Sequence, residues 1–167
     1  VIYDGSGKAS YKGDVGINAD TIAFVGDLSK ATGTTEVDAK GMALTPGFID
    51  THSHHDWGMF EIRDMPSCVS QGITTIVVGQ DGGSNFPLRD FYSKVEAATV
   101  AVNVASYTGH NTLRDSVIAG DFKRFCTPEE IEKMKAMVKL DMEEGSLGLS
   151  TGLEYDPGIF SHPDEVI

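Results

Sequence analysis

The stretch that most constrains this chain is Leu44-Thr-Pro-Gly-Phe-Ile-Asp-Thr-His-Ser-His-His-Asp56. It reads as a buried strand that ends in metal-ligand side chains. Phe48 and Ile49 supply a β-prone apolar run, and Pro46-Gly47 punctuates its start. His52 and His54 follow two residues apart. On an extended backbone residues i and i+2 point to the same face, so both imidazoles reach one ion without distorting the chain. Imidazole nitrogen suits zinc and similar divalent metals. His-x-His also occurs in surface turns. Here, however, it sits just past an apolar strand, with Asp50, His55 and Asp56 crowded around it, and such a cluster has no packing use.

The remaining punctuation divides the chain into short elements. Asp14–Ile17 and Thr21–Val25 are strand-like, with Asn18-Ala-Asp20 as a hairpin connection. Trp57–Ser70 is expected to be helical, although Asp64-Met-Pro66 makes its start or continuity uncertain. Ile73-Thr-Thr-Ile-Val-Val78 is the clearest strand, with the near-continuous apolarity of a parallel strand covered on both faces. Asp90–Val100 reads as helix and Val102–Tyr107 as strand. Thr127-Pro-Glu-Glu130 opens a helix with a capping box, whose apolar positions Ile131, Met134, Val138 and Met142 recur at helical spacing before Gly145 stops it. Leu147–Leu153 follows as a strand.

Four of these segments, in order, carry a resemblance. Pro46-Gly-Phe-Ile-Asp-Thr-His-Ser-His54 resembles the first-strand signature of the amidohydrolase superfamily. Gln71-Gly-Ile-Thr-Thr-Ile-Val-Val-Gly79, Gly109-His-Asn-Thr-Leu-Arg114 and Gly148-Leu-Ser-Thr-Gly-Leu-Glu-Tyr155 resemble segments of the N-acyl-D-amino-acid deacylases, the D-aminoacylases. The resemblance implies an α/β chain: a partial (β/α)8 barrel of about the first four strands over residues 44–167, preceded at 1–43 by part of a small β-sandwich. A complete barrel of this kind takes about 250 residues. At 167 residues the chain is therefore expected to be the N-terminal part of a longer enzyme, inactive alone, whose missing half supplies the rest of the barrel and further ligands.

The resemblance also implies the chemistry: metal-dependent hydrolysis of the amide of an N-acyl-D-amino acid, with one or two divalent ions, zinc first and manganese as the alternative. His52 and His54 take ligand positions. Asp81 stands where D-aminoacylases usually place a metal-ligating cysteine; a carboxylate is itself a competent ligand, while Asp-Gly also favours tight turns. Glu154 is a further candidate ligand on a strand where many superfamily members carry a bridging carboxylated lysine. Tyr155 matches a tyrosine that contacts substrate near the scissile amide, and its phenol is a candidate donor to the developing oxyanion. It reads equally as a packing tyrosine. His110, at a strand's carboxyl end, is a candidate for substrate binding or for holding a neighbouring group, or a structural loop histidine. Arg114 is expected on a helix surface, with contact to a substrate carboxylate as the other reading, and His162 in a loop. The competing readings are an amidohydrolase acting on cyclic amides or isoaspartyl dipeptides, and a metal-free, non-catalytic relative.

Composition narrows the partners. A net charge of -12 argues against nucleic acid and anionic membrane surfaces, without excluding an acidic substrate; the resemblance implies a small-molecule N-acyl amino acid. No run of 18 or so apolar residues forms a membrane span. A cytoplasmic location is the expectation, although the start at Val1, without Met, leaves a secreted or periplasmic one open. Cys68 and Cys126 form no Cys-x-x-Cys and read as free thiols.

Overall fold

The computed structural model describes residues 1–167. The chain is a mixed α/β structure made of two compact units, Val1–Gly47 and Phe48–Ile167.

In the first unit, β1 (Asp14–Asn18) and β2 (Thr21–Gly26) form an antiparallel hairpin, with Asn18 opposite Thr21 and Asp14 opposite Gly26. Ala19 takes a left-handed φ of 55° in the connection. The register shifts between Gly16 and Ile17, the signature of a bulge. Ile2 is buried and bridges both Tyr11 and Leu44, which ties the two ends of this unit together.

The second unit is built on a parallel sheet in the order β3-β4-β5, from Phe48–Asp50, Ile73–Val78 and Asn103–Ser106. Asp50 pairs with Ile76, and Val78 with Ser106. Parallel neighbours require crossovers. The short helix α1 (Pro66–Val69) lies in the first crossover and α2 (Leu88–Ala98) in the second. The middle strand is the most buried, as its β-branched run dictates: Ile76 and Val78 are wholly inaccessible and pack with Met59, Met65, Cys68, Leu88, Phe91 and Val102. Each such side chain contributes about 1.5–3 kcal/mol by leaving water.

The helix expected over Trp57–Ser70 is reduced to Pro66–Val69, and the residues before it form turns. Met65, just before Pro66, sits in left-handed backbone at φ 43°, ψ 52°, which interrupts a right-handed helix there. Gly58, at φ 112°, breaks the segment again.

Beyond β5, the two-residue strands β6 (Thr108–Gly109) and β7 (Leu149–Ser150) pair in parallel, Gly109 opposite Ser150. The strand read over Leu147–Leu153 is thus paired only at its centre. Between them run α3 (His110–Ile118) and α4 (Pro128–Glu143). The α4 start is a complete capping box: Glu130 N–H donates to Thr127 Oγ1 at 3.3 Å, and Thr127 N–H to Glu130 Oε2 at 2.8 Å. Arg124 also grips Glu130 at 2.8 Å, and these partners hold its carboxyl down at about 2. Asp141, fully buried on α4, accepts from Leu88 N–H and Thr108 Oγ1 at 3.0 Å each, joining α4 to α2 and β6. A 3-10 turn (Gly158–Phe160) and α5 (Pro163–Val166) end the chain. His162, expected in a loop, is the N-cap of α5, its Nδ1 accepting from Asp164 N–H at 3.2 Å. No helix is long and apolar enough to cross a membrane. Cys68 and Cys126 are both free; burial, reinforced by the Glu165 carboxylate, pushes the Cys126 thiol up to about 11.

Candidate metal centre

β3 ends at Asp50, and past a bend at Thr51 and His52 the Ser53 N–H still donates to Val77 O at 2.9 Å. Ser53 points inward and is buried, so His52 and His54 on either side are thrown outward together. Their rings meet edge to face with centroids 5.4 Å apart. His52 N–H is steadied by Asp50 Oδ1 at 3.2 Å.

The third member arrives from β4. Both His52 Nε2 and His54 Nε2 lie 3.1 Å from the same atom, Asp81 Oδ2. The ligand atoms of the three residues lie within 4.8 Å of one another, and all three side chains are exposed. This donor set fits a divalent cation. Two ligand atoms at zinc distances around a tetrahedral ion stand roughly 3.3 Å apart, close to the imidazole–carboxylate separations here. Two neutral nitrogens and one anionic oxygen are also the chemistry that zinc or manganese accepts.

Asp81 serves in a turn and in the cluster at once. Gly83 N–H donates to Gln80 O at 2.9 Å, and both central residues have positive φ, 55° at Asp81 and 78° at Gly82, as in turns of type I′. The Asp-Gly pair suits such a turn. Gly82 and Gly152 are required by crowding: a Cβ at Gly82 would lie 2.7 Å from Asn111 Cγ, and one at Gly152 would lie 2.2 Å from Asp81 O. Two residues the sequence reading passed over hold this region. The buried Gln80 side chain donates to Thr51 O at 2.9 Å and Val77 O at 3.2 Å, bracing the residue before His52 against the strand that carries Asp81. Asn111 Nδ2 donates to Gly152 O at 3.1 Å. Their only signal was adjacency, Gln80 to Asp81 and Asn111 to His110.

The other candidates fall elsewhere. Glu154 is exposed and stands outside the group of three. His55 has both ring nitrogens engaged, with Ser53 Oγ at 2.9 Å and Ser67 Oγ at 3.1 Å. Asp56 is half-buried, and burial raises its carboxyl above the ordinary range, although nearby His54, the Asn85 amide and His55 oppose the rise. Tyr155 Oη donates to Asp81 O at 2.5 Å, so the phenol grips the turn. Burial, with the charges of Asp81 and Glu154, pushes that phenol up. Its hydroxyl therefore stays protonated at neutral pH.

Arg114 departs from its reading, and His110 takes one of the three open to it. His110 is buried and lies 2.9 Å from Glu165 Oε1, as in the reading in which it holds a neighbouring group. Arg114 is not on a helix surface: it is wholly buried and ion-paired to Glu165, with further donation to the carbonyls of Phe122, Arg124 and Phe160. Burial works to raise the Glu165 carboxyl, and the Arg114 and His110 hydrogen bonds outweigh it, leaving it below the ordinary value.

Comparison with known proteins gives the family. The chain is 36% identical to a D-aminoacylase of Alcaligenes xylosoxydans xylosoxydans, covering 99% of this chain and 39% of that protein. It is 34% identical to an N-acyl-D-aspartate deacylase of the same organism, over 99% of this chain and 38% of the relative. Among solved structures it superposes with a TM-score of 0.94 on N-acyl-D-glutamate deacylase from Bordetella bronchiseptica, complexed with zinc and a phosphonate that mimics its tetrahedral intermediate. There the identity is 32%, over 99% of this chain and 39% of that one. The chain thus spans about two-fifths of the length of the relatives it matches. Residues 35–162, which include the histidine pair, the Asp81 turn and Tyr155, match the model of the amidohydrolase family; this chain belongs to that family.

Proposed function

We propose that the complete protein is a metal-dependent amidohydrolase that cleaves N-acyl-D-amino acids to a carboxylate and a free D-amino acid. In this reading, residues 44–167 contribute the first part of a (β/α)8 barrel, residues 1–43 contribute part of a β-sandwich, and further sequence closes the barrel over the site. This chain by itself is then inactive. The observation that carries the reading is the convergence of His52, His54 and Asp81 on one point at the carboxyl ends of parallel strands, where barrel enzymes build their active sites.

His52 Nε2, His54 Nε2 and Asp81 Oδ2 would hold the cation, with zinc the first choice and manganese the second. A divalent cation bound there acts as a Lewis acid and brings the pKa of water from about 15.7 toward about 7. The protein's own residues supply the rest. Neutral imidazoles leave their lone pairs free, and the Asp81 charge offsets part of the ion's. The acyl group enters from the solvent side, where all three side chains are exposed. Tyr155, protonated and half-exposed, exchanges Asp81 O for the oxygen that gains charge as the amide carbon becomes tetrahedral. A carboxylate takes the proton that water gives up as its oxygen bonds to the acyl carbon, and delivers it to the amine as the C–N bond breaks. With Asp81 taken up as a ligand, the remaining sequence supplies that carboxylate in this scheme. Glu154, exposed beside Tyr155, lies outside the group of three and has no ligand role in this scheme. We assign the protein to the cytoplasm.

The test is to purify the complete protein, measure bound metal, and compare turnover of N-acetyl-D-amino acids, their L enantiomers, dihydroorotate and hydantoins. D-selective deacylation that disappears in His52→Ala and His54→Ala is the expected result. Metal-free protein, or preference for a cyclic amide, refutes the assignment.

A further inference from the structure

The Asp81 turn is clipped by a residue 69 positions away in sequence, Ser150. Left-handed backbone is uncommon for a residue with a side chain, although aspartate tolerates it better than most. Asp81 at φ 55° is such a residue, flanked by Gly79 at φ 74° and Gly82 at φ 78°. Ser150, half-buried on β7, puts one hydroxyl across this turn. Its Oγ–H donates to Gly79 O at 2.6 Å, and the same oxygen accepts from Gly82 N–H at 3.2 Å. The two groups it joins are the carbonyl two residues before Asp81 and the amide one residue after it. A hydroxyl is the smallest group that can donate to one and accept from the other. β7 is itself registered by β6, Gly109 opposite Ser150, so the clip is anchored to a strand and not to a loop.

We infer that Ser150 is a positioning residue for the metal centre: its hydroxyl, by bridging Gly79 and Gly82, sets the direction in which the Asp81 carboxylate points at His52 and His54. This rests on the metal role proposed above for Asp81. Ser150 touches neither imidazole nor the Asp81 side chain; it acts only through the turn. Loss of the hydroxyl leaves Gly79 O and Gly82 N–H without these partners and frees Asp81 to relax from positive φ, which carries its carboxylate away from the histidines.

The experiment measures zinc affinity of the complete protein by competition with a chromophoric chelator, which is independent of turnover. Groups that orient ligands are typically worth 10–100-fold in metal affinity, so Ser150→Ala should weaken zinc by about that factor. Ser150→Thr, which keeps the hydroxyl, should restore it, whereas Ser150→Val, of the same shape as threonine, should not. The Thr/Val pair serves equally if the alanine variant fails to fold. Ser146→Ala is the control. That hydroxyl donates to Gly148 O and accepts from Gly148 N–H, touching nothing in the Asp81 turn, so its loss should lower stability and leave zinc affinity unchanged. In an Asp81→Ala background, Ser150→Ala should have no further effect. Parental affinity in Ser150→Ala, or equal weakening by Ser146→Ala, overturns the inference. If Asp81→Ala and His54→Ala themselves bind zinc like the parent, it is the metal reading that fails, and the two failures are distinguishable.

Discussion

Glu165→Gln isolates the energetics of the buried cluster that fastens the chain's last segment to α3. In the parent, the Glu165 carboxylate is wholly inaccessible, ion-paired to Arg114 and hydrogen-bonded to His110. The amide substitution keeps shape but removes the charge, and Arg114 is left as a buried cation without its anion. Breaking one side of such a pair costs about 3–5 kcal/mol. Arg114 still reaches the carbonyls of Phe122, Arg124 and Phe160, which argues for the low end. About 3 kcal/mol at 1.4 kcal/mol per decade is roughly a hundredfold rise in the opening equilibrium of this segment. Hydrogen exchange of the complete protein at pH 7 reads it directly. The amides of Ile159, Ser161, Glu165 and Ile167, each bonded within the segment, should exchange faster by that factor. Those of Ile73–Val78, in the core of the sheet, should not change.

The pH dependence carries the same sign. Because the folded Glu165 carboxyl lies below its ordinary value of 4.5, its stabilisation is present in full above that pH and is lost as pH falls through the lower folded value. Protection of the segment should therefore decline in acid in the parent and stay flat in the glutamine variant. A change of less than about threefold at pH 7, under 1 kcal/mol, would mean the pair contributes little and would refute this account.

Three other outcomes follow from the geometry. Thr127→Ala removes the α4 cap and should cost about 1 kcal/mol in denaturant unfolding. The Glu130 half of the box, held at about 2, keeps its contribution above pH 4.5 and loses it only as pH falls toward 2. Ile76→Ala, at the fully buried centre of the sheet, should cost about 2–5 kcal/mol by the same measurement. Tyr155→Phe deletes the bond to Asp81 O; at about 1 kcal/mol for such a bond, zinc affinity should fall by roughly fivefold and turnover by more, because the oxyanion donor goes too. Turnover equal to the parent's would remove Tyr155 from the reaction.

What was legible in the sequence was local. His52 and His54 share a face because they flank the buried Ser53 just past β3, an alternation set by neighbouring residues. The capping box at Thr127, the β-branched strand at Ile73–Val78 and the hairpin over Asp14–Gly26 were readable for the same reason, since each is decided by neighbours a few residues away. The failures were also physical. Trp57–Ser70 has helical composition, yet Gly58 and the Met65-Pro66 junction divide it into turns. Arg114 looked like a surface arginine because its charge is a local property and its partner is not: Glu165 is 51 residues away. Asn111 and Ser150 lie inside segments that carry the resemblance, yet their roles and that of Gln80 were not readable, since what they do is bridge backbone groups of other segments. The sequence by itself determined the ligand types and the face that presents the two histidines. Only tertiary structure brought Asp81 Oδ2 to both imidazoles, because that requires parallel pairing of β3 with β4 and a left-handed turn clipped from β7.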